Sequence, residues 1–64
     1  MKVKIISVYK RQEEVHPYLE NEINNFIANV DNVKDVKFQI TRNFLLGSNS
    51  GEFEEIGRAL ISYE

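Results

Sequence analysis

The sequence predicts an α+β fold in the element order β-α-β-β, with one helix packed on a three-stranded mixed sheet. Three observations predict it. Residues 15–30 have apolar positions spaced by three and four, residues 33–46 alternate between apolar and polar, and residues 1–10 and 52–63 resemble strands. A chain of 64 residues has room for one core. We therefore expect a single domain over residues 1–64.

The first predicted strand, residues 1–10, has two different faces. One face carries Val3, Ile5 and Tyr9, and the other begins with lysines and becomes apolar at Ile6 and Val8. This pattern predicts a strand whose first half is partly exposed and whose second half is covered on both sides.

The helix is predicted over residues 15–29. Its apolar stripe consists of Val15, Tyr18, Leu19, Ile23, Phe26, Ile27 and Val30. Pro17 is tolerated in a first turn, and Asn29 is a residue that accepts the left-handed conformation common at helix ends. The opposite face is rich in Asn, which indicates either a solvated surface or a contact with a partner.

Residues 33–63 predict a long β-hairpin. Val36, Phe38 and Ile40 alternate with polar residues, residues 47–51 are typical of a turn, and residues 52–63 return as the third strand. Gly57 within that strand indicates a bulge or a close backbone approach. The helical crossover makes the first two strands run parallel, and we expect the third strand between them. Pairing Phe38 with Ile61 would put Ile56 and Leu60 on the face away from the helix.

Length and composition predict self-association, or else unusually good packing. Short chains usually need a disulfide, a metal or a partner subunit, and this chain has no cysteine and one histidine. A helix of about 22 Å cannot cover a hairpin of roughly 45 Å. We expect at least a dimer, in which Leu46→Asp weakens association, while Phe26→Ala and Phe38→Ala each unfold the domain. The predicted interface consists of Ile6, Val8, Phe44, Leu45, Leu46, Phe53, Ile56 and Leu60.

Several residues offer chemistry, each with a simpler structural interpretation. His16 has no partner at a recognisable spacing, and the loop Gly47–Gly51 lacks the lysine and helix of a phosphate-binding loop. The acidic group of Glu52, Glu54 and Glu55 is typical of solvated charges. We therefore predict no enzyme, no cofactor and no metal site.

Charge and hydropathy restrict partners and location. The net charge of −2 disfavours nucleic acid, although one alternative assigns a basic stripe on the sheet. No run of apolar residues is long enough to span a membrane, and the N-terminus does not resemble a secretion signal. These features predict a cytoplasmic protein without a membrane partner. The stripe would comprise Lys2, Lys4, Lys10, Arg11, Lys37, Arg42 and Arg58.

Three stretches carry a family resemblance: LENEINNFI, VKDVKFQI and RALISYE. In order and spacing they resemble a family of small sporulation-associated proteins of spore-forming Gram-positive bacteria and their phages, from Leu19 onward apart from the hairpin tip. The resemblance implies a bacterial or phage cytoplasmic protein and brings no catalytic residues. The topology is also similar to the dodecins, which assemble and sequester flavins with a stacking Trp. This chain has no Trp.

The sequence leaves three functions open. The first is a non-catalytic protein-interaction module that acts as a homo-oligomer. The alternative is an assembly that sequesters a small, nucleotide-like ligand between subunits, and an enzyme comes third. The partner, the ligand and the number of subunits remain open at this point.

Overall fold

The structure, a computed structural model, describes residues 1–45 and 51–64. It contains β1 (Lys2–Arg11), α1 (His16–Ile27), β2 (Val33–Phe44) and β3 (Phe53–Tyr63). The α+β class and the order β-α-β-β are confirmed.

The three strands form one sheet in the order β1-β3-β2, with β3 in the centre as expected. The prediction of a mixed sheet is wrong, because β3 runs antiparallel to both of its neighbours. β1 and β2 do run in the same direction, but β3 separates them. No parallel pair of neighbouring strands therefore forms.

The pairing register defines two faces of the sheet. Ile6 of β1 and Phe38 of β2 both lie opposite Ala59, so these three side chains share the inner face, toward α1. Phe38 thus pairs two residues away from Ile61. A shift by two residues keeps every side chain on its face. The pairing of Phe38 with Ile61 is therefore wrong, but Ile56 and Leu60 still lie on the outer face, where that pairing would have put them.

The core lies where α1 packs on β1 and β3. Ile6, Leu19, Ala59 and Ile61 form its buried cluster, and Val15 is also buried. The close approach expected at Gly57 is confirmed. A Cβ atom there would lie 3.0 Å from Cγ2 of Val15 and 3.1 Å from Cδ2 of Leu19. Any larger residue at this position would push α1 away from β3.

α1 is shorter than predicted at both ends. Val15 is its N-cap, and Pro17 occupies the first turn. The predicted left-handed end at Asn29 is wrong, because Asn29 does not have a positive φ. Instead its backbone N–H donates to the Phe26 carbonyl at 3.1 Å, and its side-chain amide donates to the Asn25 carbonyl at 2.9 Å. These bonds satisfy carbonyl groups at the helix end without a left-handed residue.

The molecule is elongated. Its principal extents are 47 × 17 × 10 Å, and its radius of gyration is 14.3 Å. A chain of this length usually has a radius of gyration of about 11 Å. The accessible surface of 4787 Å² likewise exceeds the roughly 4,200 Å² expected for its mass. The hairpin outruns the helix, and the excess surface lies on the strands.

Candidate functional site

The inner face of β2 is uncovered. Val36, Phe38 and Ile40, which we call the β2 strip, lie on the helix side of the sheet, yet Phe38 is 61 % exposed and Val36 36 % exposed. Their prediction as core residues is therefore wrong within one chain for Val36 and Phe38, whereas Ile40 is half-buried and packs against the core. A helix is about 10 Å wide and strands lie about 4.8 Å apart, so one helix covers two strands. α1 covers β1 and β3.

A groove separates the β2 strip from α1. His16, Leu19, Glu20, Ile23 and Phe38 line it, and its volume is about 330 Å³. Its wall combines apolar side chains with one imidazole and one carboxylate. His16 is exposed, and its Nε2 lies 3.7 Å from Oε2 of Glu20.

Glu55 is a residue of β3 whose buried carboxylate lies beside the start of α1, with 5 % of the residue's surface exposed. Its Oε1 accepts a hydrogen bond of 3.0 Å from the Val15 backbone N–H, and its Oε2 lies 2.6 Å from Nη2 of Arg42. The prediction of a solvated charge is wrong for Glu55. This residue supplies from β3 the N-terminal cap that α1 lacks in its own sequence.

The same contacts explain the ionisation of Glu55. The backbone hydrogen bond from Val15 and the hydrogen bond from Arg42 hold the pKa of Glu55 below its ordinary value. Both oxygens of this carboxylate thus have partners that hold the start of α1 against β2 and β3. Carboxylates act in the opposite direction on two phenols, because hydrogen bonds to Glu54 and Glu13 raise the pKa values of Tyr9 and Tyr18.

Near the hairpin tip, aromatic side chains form a small cluster. Phe44 is 67 % exposed, and its ring centroid lies 6.4 Å from that of the half-buried Phe53. The guanidinium of Arg42 lies over the Phe53 ring at 4.0 Å. Leu45 is half-buried, and Leu46 lies outside the described residues, as does most of the predicted turn. Phe44 is the member of the cluster most available to a partner.

The outer face of the sheet is not covered by any other part of residues 1–45 and 51–64. Ile5 is 66 % exposed and Leu60 40 % exposed, and the two lie opposite each other. The expectation that the second half of β1 is covered on both sides is wrong, because Tyr9 is exposed there. Ile56 is half-buried. The outer face is therefore a second, more mixed candidate surface.

Two residues of the predicted interface are occupied by the chain itself. Ile6 belongs to the core, and Val8 packs against it, because α1 lies directly over this part of β1. We leave both out of any contact with a partner.

The basic residues do not form one stripe. The register places Lys2, Lys4, Lys10 and Arg42 on the inner face and Arg11, Lys37 and Arg58 on the outer face. Several of them have partners within the chain. Lys10 lies 4.0 Å over the Tyr18 ring, and Arg11 pairs with Glu52 at 3.1 Å. This distribution disfavours a continuous track for a nucleic-acid backbone.

Two negative findings apply to residues 1–45 and 51–64. No three His, Asp or Glu side chains there are placed to hold a metal ion together. No helix in the same part of the chain has the length and apolar content needed to cross a membrane.

No protein-family model, curated protein or solved structure matches this chain. The geometry of the described residues therefore carries the argument about function.

Sequence reasoning missed Glu55 and misjudged the β2 strip. Arg42 was the available signal for the first, because a charge that interrupts an apolar strand face needs a partner on the same face. No signal marked the second, since alternation shows that one face is apolar but does not show which strands the helix covers.

Proposed function

We propose that this protein is a non-catalytic protein-interaction module that works as a homo-oligomer. The exposure of Phe38 on the helix side of the sheet carries the proposal. Phe38 lies at the centre of the apolar β2 strip, next to the groove, and the only helix described does not cover it. An exposed aromatic side chain in such a place is typical of a contact surface.

The energetics favour a contact of moderate strength. Full burial of a Phe contributes about 1.5–3 kcal/mol, and about three fifths of Phe38 remains to be buried. Each copy in a symmetric dimer would thus gain at most about 1–2 kcal/mol at this residue, the value for complete burial. Val36, Ile40 and Phe44 add to this. The chemistry of the site supports a contact better than a reaction, because Glu55 is already held by Val15 and Arg42.

Analytical ultracentrifugation tests the proposal. We expect the wild-type chain to sediment as a dimer or larger species at micromolar concentration. Phe38→Ser should raise the dissociation constant at least about tenfold, which corresponds to 1.4 kcal/mol. Tyr9→Ser is the matched control, because Tyr9 is 56 % exposed on the opposite face. A wild-type chain that remains monomeric up to millimolar concentration would contradict the proposal.

The second candidate function is an assembly that sequesters a small ligand between subunits. The groove beside Phe38 favours it, because about 330 Å³ lies at the lower end of ligand-pocket volumes, and a second copy would close its open side. Native mass spectrometry of the protein purified from cells tests it. A small molecule released on unfolding in a fixed ratio to the protein would support sequestration. An assembly that contains no small molecule would favour the interaction module instead.

The proposal extends to the setting of the protein. The resemblance of three stretches to sporulation-associated proteins supports a bacterial or phage origin, and the lack of cysteine is compatible with the cytoplasm. A pull-down from such a host with wild-type bait, and with Phe38→Ser as the control bait, tests for a protein partner. A partner retained equally by both baits would bind away from the β2 strip.

A further inference from the structure

We infer that the contact between copies is made edge to edge along β2, so that two antiparallel β2 strands join two sheets into one six-stranded sheet. The inference rests on the proposed homo-oligomer and specifies its geometry. The occupant of the β2 edge is thus a second copy of this chain.

The backbone of β2 presents unused hydrogen-bonding groups along the strip. The Leu45 N–H donates to the Glu52 carbonyl at 2.9 Å, which makes residue 45 part of a hydrogen-bonded pair with β3. In antiparallel strands such pairs alternate with pairs whose groups point away. Continuing the alternation turns the N–H and C=O groups of Val36, Phe38 and Ile40 toward the open edge. The residues of the apolar strip are therefore also those with free backbone groups.

The two edges of the sheet differ in their protection. α1 lies over β1, the other edge, whereas both edges carry charges that disfavour pairing, at positions 2, 4, 10 and 11 of β1 and at positions 34, 35, 37 and 42 of β2. β2 has a bulge between Val33 and Asp35, at one end only. From Val36 to Thr41 it contains no Pro, no bulge and a single Lys. Apart from that Lys, this stretch lacks the features that usually prevent edge pairing.

The apolar strip is centred on Phe38, which selects the register, and charge disfavours a neighbouring one. With Phe38 opposite its own copy, Val36 faces Ile40 of the second copy and Lys37 faces Gln39, so no like charges are opposed between residues 35 and 41. Centring the pairing on Lys37 would set two lysines opposite each other, which is destabilising. The register centred on Phe38 joins the two strips into one apolar floor between the two helices.

Disulfide trapping tests this register, because the chain has no native cysteine. The proposed pairing sets Asp35 opposite Thr41 of the second copy in a non-hydrogen-bonded pair, where Cα atoms are about 4.5 Å apart. That distance suits a disulfide. Both side chains are exposed, so Asp35→Cys and Thr41→Cys should each fold normally, which circular dichroism checks.

We expect an equimolar mixture of Asp35→Cys and Thr41→Cys to form a mixed disulfide dimer on mild oxidation. Each variant alone should form several-fold less, because the two copies of residue 35 would lie six residues apart along the strand, or roughly 20 Å. The variants alone are thus matched controls for random collision, and reductant should reverse the product.

The outcomes separate the geometry from the assembly. If the wild type sediments as an oligomer but the mixture gives no more disulfide than either variant alone, the edge contact is wrong and the homo-oligomer stands. Such a result would direct attention to the outer face. If the wild type is monomeric at millimolar concentration, both proposals fail.

Discussion

Gly57→Ala should destabilise the fold by pushing α1 away from the sheet. The new Cβ would lie 3.0 Å from Cγ2 of Val15 and 3.1 Å from Cδ2 of Leu19, closer than ordinary contact. Neither neighbour can move easily. Both are buried, and the Val15 N–H is held by the Glu55 carboxylate at 3.0 Å. The substitution therefore compresses the core and strains the helix cap together.

Two opposing effects set the magnitude. Replacing Gly by Ala inside a strand gains about 0.5–1 kcal/mol from reduced backbone entropy in the unfolded chain. Overpacking a core by one methyl group costs about 1–3 kcal/mol. The structure favours the larger effect, and we expect a net loss of about 1–2 kcal/mol. In a domain of this size that lowers the melting temperature by roughly 5–15 °C.

Thermal unfolding followed by circular dichroism, at one fixed protein concentration, measures the loss. Val15→Ala provides the control, since it removes the nearer of the two atoms that the new methyl group would approach. The double variant should lose less stability than the sum of the losses in the two single variants, which is the signature of a direct contact. A Gly57→Ala variant that melts at or above the wild-type temperature would refute the reasoning.

Three further predictions concern Glu55, Phe26 and Phe38. Glu55 has a lowered pKa in the folded state, so its stabilising effect is complete above about pH 4.5 and is lost as the pH falls through the folded value. Glu55→Gln should therefore melt below the wild type at pH 7, with a difference that shrinks in acid, and an undiminished difference would exclude the carboxylate as the cause. Phe26→Ala should cost about 2 kcal/mol, because its half-buried ring packs edge-on against Tyr63 at 5.1 Å. Phe38→Ala, measured in dilute solution where the chain is monomeric, should unfold within about 0.5 kcal/mol of the wild type. Equal losses for the two Phe variants in urea titrations would restore Phe38 to the core.

The element order could be predicted because each element carries its own local pattern. The apolar residues of α1 recur every three or four positions, and those of β2 recur every two. The central position of β3 also followed from sequence, since its last segment is apolar on both faces. These are properties of single segments, and single segments are what periodicity describes.

The candidate site could not be predicted in the same way, because it depends on how the elements are placed. Phe38 and Ile6 are equivalent in pattern, and both lie opposite Ala59. Ile6 is buried and Phe38 is exposed because α1 lies over β1 and β3 but not over β2. The cap that Glu55 provides to α1 spans 40 residues of sequence. No local rule links two residues so far apart.

The central position of β3 has a consequence for folding during synthesis. β3 is the last element within residues 1–64. β1 is the first element, and β3 is the strand with which it pairs. α1 has 12 residues and receives its cap from Glu55, so it is marginal until β3 is present. As the chain leaves the ribosome, β1 and β2 therefore remain unpaired until β3 has been made. Contacts between distant residues form slowly, and residues 1–64 are expected to fold in one cooperative step rather than element by element.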